Sequence, residues 1–202
     1  MLYFPVNYTS HIMPFTIPLP ISFLDHSKSF EENKESFLKY GLIYKHFPEE
    51  GLYVLKYNKN KADTNNAYIG MCRGLVLCDK TNNVVSVPPR KSVGFPQYSH
   101  IITNNIIPGQ ITTCEEFIEG TNINVFYHND TWKLSTRSTV GANTSYDSDQ
   151  TFRELFFECL DFSLDKLDKQ FCYNFVFQHP DNRQIIPITE KKLYLVGAYK
   201  IE

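Results

Sequence analysis

The sequence lacks paired cysteines. Its five cysteines are odd in number, and none forms a C-x-x-C pair with another. This pattern argues against a disulfide framework and against a zinc ribbon. It favours a reducing compartment, and we expect a cytoplasmic protein with no metal site and no cofactor.

An excess of charge of one sign is also missing. Twenty Lys and Arg residues stand against 22 Asp and Glu residues, which gives a formal net charge of -2. A nucleic-acid partner would therefore have to meet a local basic patch, and a protein that coats duplex DNA is disfavoured. The 202 residues are instead rich in Phe (16) and Tyr (13), and 42% of them are hydrophobic. This composition is typical of one globular domain.

No long uninterrupted apolar run occurs. The first 24 residues are apolar, but Pro5, Pro14, Pro18 and Pro20 interrupt them and no basic region precedes them. We therefore predict neither a signal peptide nor a membrane-spanning helix, and no membrane partner. Because proline fixes φ and removes a donor, we predict an extended arm over residues 1–24, packed on an apolar surface of its own domain or of a partner. Residues 25–202 are predicted to form the folded domain.

The remaining chain combines two helix signals with many strand signals. Ser29 followed by Glu32 is a capping box, and it predicts a helix that Gly41 ends. Apolar residues at helical spacing from Phe152 predict a second helix after a cap within 147–150. Strands are predicted by period-two or β-branched runs at 42–47, 52–57, 74–78, 84–87, 123–127, 132–137, 171–177 and 192–199. The predicted fold class is α+β, dominated by antiparallel sheet.

Five short motifs follow one another in a fixed order. They are CRGLVL at 72–77, SVPPRK at 86–91, EFIEGTNIN at 116–124, LSTRS at 134–138, and NFVF at 174–177 with PDNR at 180–183. Together they resemble the phage-type single-strand RNA ligases of the covalent nucleotidyltransferase superfamily. That family has a C-R-G strand, a strand with S-R-P and a lysine, the K-x-D-G nucleophile motif, an S-x-[KR] strand and an N-F-E-F strand. The resemblance covers residues 50–200 and implies an RNA-ligase-like nucleotidyltransferase domain.

Three departures from the family pattern are visible. Phe117 stands where the family's lysine attacks the α-phosphate, and a phenyl ring is not a nucleophile. Val176 stands where the family has the carboxylate that holds the ribose. The chain ends at Glu202, before the family's later E-G motif and its final pair of lysines, which predicts a C-terminally truncated domain. These departures predict a protein that is not an enzyme and has no catalytic residue.

A basic and aromatic set remains, in which Arg73, Lys91 and Arg137 match positions that the resemblance places at the nucleotide or its phosphates. Arginines suit bidentate contacts to phosphate, and aromatic faces suit stacking on bases. The predicted nucleotide- or RNA-binding residues are Arg73, Lys91, Phe117, Glu119, Trp132, Arg137 and Arg183. For each of them a purely structural role stays open, because arginines on sheets also pair with glutamates and aromatic residues on strands also pack inward.

Three functions follow from this set. The leading prediction is an inactive module that binds an RNA 5′ end or a nucleotide, with the mRNA cap as the specific form, because methylated guanine favours aromatic faces and a carboxylate. The first alternative is a scaffold that docks a protein partner at the arm or at an exposed sheet edge. The second is a nucleotidyltransferase or RNA ligase with a displaced lysine or a split active site, for which Lys91 and Lys133 are the nearest substitutes under the resemblance.

Overall fold

Two β-sheets contain most of the regular structure. The structure is a computed structural model, and it describes residues 12–14, 23–89, 91, 92, 94, 99 and 116–201. Its helices and strands are, in chain order, β1 (Ile12–Pro14), α1 (Phe30–Lys39), β2 (Leu42–Phe47), β3 (Leu52–Tyr57), α2 (Ala67–Met71), β4 (Arg73–Cys78), β5 (Val84–Ser86), β6 (Thr121–His128), β7 (Thr131–Ser135), α3 (Phe152–Cys159), β8 (Phe171–Gln178) and β9 (Lys192–Lys200). Short 3-10 helices lie at Pro48–Glu50 and Leu164–Lys166.

The first sheet has four antiparallel strands in the order β2-β3-β4-β5. Helix α1 begins at the predicted capping box: the Ser29 hydroxyl accepts from the Glu32 backbone N–H, and the Glu32 carboxylate accepts from the Ser29 backbone N–H. The rings of Phe30 and Phe37 contact the ring of Tyr53, at centroid distances of 4.5 and 5.8 Å. All three side chains are buried, so this helix and the central strand share one aromatic core.

The second sheet has five strands in the order β1-β9-β8-β6-β7. Adjacent strands in this sheet are antiparallel, except that β1 pairs in parallel with β9. Asn129 and Asp130 form the two-residue turn between β6 and β7, with φ of 49° and 59°. This is the backbone that a tight hairpin needs, and the predicted hairpin is confirmed. Helix α3 packs on the sheet through Leu155 and Phe156.

The α+β class with antiparallel sheets is thus confirmed, with small differences in the boundaries of elements. Helix α3 is capped by Thr151, whose hydroxyl accepts from the Glu154 backbone N–H, and not by a residue of 147–150. Strand β7 ends at Ser135, two residues earlier than predicted, because the chain turns there. No described helix is long and apolar enough to cross a membrane.

The structure describes only part of the predicted arm. The backbone of β1 lies beside β9, and Phe23 and Leu24 are buried in the core under the four-stranded sheet. The other residues of 1–24 lie outside the described residues, so the packing of the whole arm stays a prediction.

Candidate active site

A cavity of about 670 Å³ lies where the two sheets meet. Residues from both sheets and from the connections between them line it. They are Arg73, Pro88, Pro89, Glu116, Phe117, Ile118, Gly120, Thr121, Asn122, Thr136, Arg137, Ser138, Thr144, Phe152, Val176 and Val196. One part of the wall is basic and rich in hydroxyls, and another part is apolar.

The basic wall depends on a β-bulge in β4. Leu55 pairs with Leu75, but the next residue, Lys56, pairs with Arg73, so Gly74 is an extra residue in the ladder. Gly74 has φ of +113°, and a Cβ there would lie 2.8 Å from the Cα of Arg137. Only glycine permits this backbone and this approach. The bulge therefore lets the segment after β7 lie directly against β4.

The second arginine of the wall follows β7. Its turn is closed by the hydroxyl pair of Thr136 and Thr139, 2.9 Å apart, and by the Thr136 backbone N–H, which donates to the Thr139 carbonyl at 2.8 Å. The Arg137 guanidinium lies over the ring of Tyr57, 5.6 Å from its centroid. This contact from the four-stranded sheet holds the side chain of a residue that follows a strand of the other sheet. Arg73, on β4, and Arg137, in the turn after β7, thus line one cavity.

A third cation lies beside these arginines. The Nζ atom of Lys56 is 3.3 Å from the Oγ atom of Ser138, which lines the cavity. The sequence analysis did not predict a role for Lys56, because its place beside the cavity depends on the register shift at Gly74 and on the turn after β7. Both are properties of the assembled sheets.

The apolar wall is built by β8 and the segment that enters β6. A Cβ added to Gly120 would lie 2.5 Å from Cγ1 of Val176 and 2.6 Å from the Phe177 carbonyl oxygen, so the segment passes β8 at a distance only glycine allows. Phe117 lies three residues earlier with 88% of its surface exposed, and its ring is available at the cavity. The Phe117 ring is therefore accessible to a ligand.

Buried amides hold the wall in place from behind. The Asn174 side chain donates to the Val87 carbonyl at 3.0 Å and to the Asn124 side-chain oxygen at 2.8 Å. Asn124 and Asn174 are at most 1% exposed. The network ties the segment that carries Pro88 and Pro89 to β8 and β6, because buried polar groups need partners.

Four predicted binding residues are not among the described residues that line this cavity. The Nζ atom of Lys91 is exposed and donates to the Ser92 carbonyl at 3.3 Å. Glu119 accepts from the backbone N–H of Ile185 at 2.8 Å and so anchors the loop after β8. Neither residue is among those that line the cavity, whereas Arg73, Phe117 and Arg137 are brought together there.

Trp132 and Arg183 also lie elsewhere. Trp132 packs edge-on to Tyr127, with ring centroids 5.3 Å apart, on the five-stranded sheet. Arg183 forms an ion pair with Asp147, with 2.6 Å between Nη1 and Oδ2. That pair lies in a second cavity of about 830 Å³, whose wall also carries Asp149 and Asp181.

Glu158 on α3 and Cys172 on β8 are among the groups with shifted pKa values. The ammonium of Lys191, 2.5 Å from the Glu158 carboxylate, lowers the pKa of Glu158 to about 2, with further bonds from Gln150 and His179. Burial raises the pKa of Cys172 to about 11, so this thiol stays protonated at neutral pH. Among the described residues, no group of three His, Cys, Asp or Glu side chains is arranged to hold a metal ion.

Comparison with known proteins identifies viral relatives. No protein-family model matches the chain. The chain is 26% identical over 223 residues to an RNA ligase of Rhodothermus phage RM378. This match covers 92% of the present chain and 50% of the phage protein. It is 30% identical over 144 residues to a putative bifunctional polynucleotide kinase/RNA ligase of Autographa californica nuclear polyhedrosis virus. This match covers 66% of the present chain and 20% of the viral protein. The chain thus spans about half the length of the first relative and about a fifth of the second.

These relatives contradict the leading functional prediction. Both carry RNA ligase in their names, so the prediction of an inactive module that binds a cap or an RNA 5′ end, and of a protein that is not an enzyme, is wrong. The prediction depended mainly on Phe117. Phe117 excludes a nucleophile at its own aligned position only. It does not show which side chains reach the same cavity from other strands. The resemblance itself is confirmed, and the chain is a distant relative of the viral RNA ligases.

Proposed function

We propose that the chain is an RNA-ligase-type nucleotidyltransferase module whose active site is the cavity between the two sheets. The observation that carries this proposal is the division of the cavity wall: Arg73 and Arg137 on one part and an apolar surface on another. A nucleoside triphosphate has the same division, with anionic phosphates at one end and a flat base at the other. The cavity volume of about 670 Å³ lies within the usual range for small-molecule sites.

The phosphates would be bound by the basic wall. Arg73 and Arg137 are guanidinium groups, which donate two parallel hydrogen bonds to phosphate oxygens. Ser138 and Thr136 add hydroxyl groups to the same wall. The bulge at Gly74 supports this assignment, because it holds the two arginine-bearing segments against each other before any ligand arrives.

The base would lie on the apolar wall. Val176 and Val196 contribute from the sheet, and Phe117 offers an exposed ring at the same cavity. Stacking of a base on an aromatic ring contributes about 1–3 kcal/mol and tolerates any base. Phe117 is therefore assigned to binding, and the covalent step is assigned to a lysine elsewhere in the site.

Covalent labelling tests this function. The purified protein is incubated with each of the four α-³²P-labelled ribonucleoside triphosphates and Mg²⁺, then denatured in detergent at alkaline pH. We expect a label that stays on the denatured protein, because a lysine phosphoramidate is stable in alkali. Pyrophosphate added before denaturation should remove the label, because pyrophosphate reverses nucleotidyl transfer. Arg137→Ala should label weakly, and Arg183→Ala should label like the unmodified protein, since Arg183 is paired with Asp147 in the other cavity.

A negative result would be informative because folding can be checked separately. Absence of label with all four nucleotides, in a protein that unfolds cooperatively on heating, overturns the proposal. Equal labelling of Arg137→Ala and the unmodified protein would show that the reaction takes place outside this cavity.

A further inference from the structure

We propose that Lys56 is the residue that becomes covalently attached to the nucleotide. This inference depends on the proposed function, since nucleotidyl transfer needs an amine in the site and Phe117 supplies none. No lysine is among the described residues that line the cavity. The Nζ atom of Lys56, however, is 3.3 Å from the Oγ atom of Ser138 on the cavity wall.

The β-bulge directs Lys56 to this position. Lys56 and Arg73 are register partners on the neighbouring strands β3 and β4, and side chains of directly opposed residues leave a sheet on the same face. Arg73 lines the cavity, so Lys56 emerges on the cavity side of the sheet. In a regular ladder without the bulge, Gly74 would lie opposite Lys56, and Arg73 would leave the sheet on the other face.

Other lysines have contacts that direct them elsewhere. The ammonium of Lys133 is 2.5 Å from the Glu50 carboxylate, and that of Lys169 lies 4.3 Å from the ring centroid of Tyr127. The exposed ammonium of Lys91 donates to the carbonyl of its neighbour Ser92. None of these contacts involves a residue of the cavity wall.

The proposed step balances without an oxidant or a reductant. The Lys56 ammonium first loses a proton to solvent, and the Nζ lone pair then attacks the α-phosphorus of a nucleoside triphosphate. A bond forms between Nζ and the α-phosphorus while the bond from that phosphorus to the bridging oxygen breaks, and pyrophosphate leaves with the electron pair. The nitrogen then releases its second proton to solvent, which leaves a neutral phosphoramidate nitrogen. Arg73 and Arg137 would stabilise the charge on the phosphates during the transfer.

The experiment combines site mapping with matched variants. Labelled wild-type protein is digested and the modified peptide is sequenced by mass spectrometry, and labelling is compared among the unmodified protein, Lys56→Arg, Lys56→Ala and Lys45→Ala. Lys45 is the control because it lies exposed on β2 of the same sheet, with its ammonium over the ring of Phe47. Nucleotide affinity of each variant is measured by calorimetry.

We expect the label on the peptide that contains Lys56. Lys56→Arg and Lys56→Ala should lose labelling by about 1,000-fold or more, as expected for loss of a nucleophile. Lys56→Arg should keep its nucleotide affinity within about threefold, because the positive charge remains. Lys45→Ala should label like the unmodified protein.

The possible failures are distinguishable. Label mapped to a different lysine overturns the assignment of Lys56 and leaves the proposed function standing. Absence of label from the unmodified protein overturns both. If a Lys56 variant fails to fold, the mapping on unmodified protein still decides the question.

Discussion

Two cavities among the described residues are of similar size but differ in the charge and the origin of their walls. The cavity of about 670 Å³ at the sheet junction has two arginines and one glutamate. The cavity of about 830 Å³ has three aspartates and one arginine, and that arginine is paired with Asp147. Arg183 belongs to a sequence motif as clearly as Arg73 does. The local balance of charge therefore favours an anion in the smaller cavity, although both arginines belong to motifs.

The walls also differ in how firmly they are held. Segments tied to strands build the basic cavity, and the buried amides of Asn124 and Asn174 support it from behind. The other cavity is lined by residues of the connections 147–150 and 180–188. A site supported by sheets and buried hydrogen bonds keeps its geometry better than a site between loops. This is a second reason to place the chemistry at the sheet junction.

The bulge glycine should give the largest effect. Gly74→Ala places a Cβ 2.8 Å from the Arg137 Cα at a φ of +113°, and we expect a loss of about 2–5 kcal/mol in the free energy of unfolding, together with loss of nucleotide binding. Gly70→Ala is the matched control. Gly70 lies in helix α2, and a Cβ there would meet only the Thr64 carbonyl oxygen, at 3.5 Å. It should change stability by about 1 kcal/mol or less. Urea unfolding measures both, and equal losses would contradict the role assigned to the bulge.

The two arginines test the contrast between the cavities directly. Arg137→Ala should weaken nucleotide binding by about 1.5–3 kcal/mol, because a charge-assisted bond to phosphate is lost. The difference should shrink as salt screens the charges. Arg183→Ala should leave the affinity unchanged. Calorimetric titration at two salt concentrations measures the effect, and a larger loss in Arg183→Ala would move the anion site to the other cavity.

Two helix caps, one beside the basic cavity and one distant in sequence from it, allow a smaller loss of stability to be separated from a loss of nucleotide affinity. Thr151→Ala and Ser29→Ala each remove a capping box and should each cost about 1 kcal/mol in the free energy of unfolding. Only Thr151 caps the helix whose first residue, Phe152, lines the basic cavity. Nucleotide affinity should therefore fall in Thr151→Ala and stay constant in Ser29→Ala. A fall in both variants would indicate a general loss of structure.

The smallest expected effect is the pH dependence due to Glu158. The ammonium of Lys191 lowers the pKa of this carboxyl from 4.5 to about 2, so its contribution to stability is present above pH 4.5 and is lost as the pH falls towards 2. Glu158→Gln should therefore be less stable than the unmodified protein at pH 6, and the difference should narrow between pH 4.5 and 2. Thermal melting at a series of pH values measures it. A double-mutant cycle with Lys191→Ala should be non-additive, and additive losses would exclude the pair as the cause.

The sequence by itself determined the local structure. The capping box at Ser29, the two-residue turn at Asn129 and Asp130, and the alternation along the strands are signals between near neighbours, and the structure confirms them. The order of the short motifs also identified the relationship to RNA ligases. These features depend on residue types at fixed short spacings, which can be read along the chain.

Only the tertiary structure decided which side chains meet. The pairing of Arg183 with Asp147 and the packing of Trp132 on Tyr127 direct two predicted binding residues away from the basic cavity. The approach of Lys56 to Ser138 joins positions 82 residues apart. Such contacts follow from sheet register and from a glycine that lets two backbones approach, and neither has a signal at one place in the chain. For the same reason, Phe117 at the position that the resemblance aligns with a lysine could not show from the sequence alone that Lys56 approaches the cavity wall.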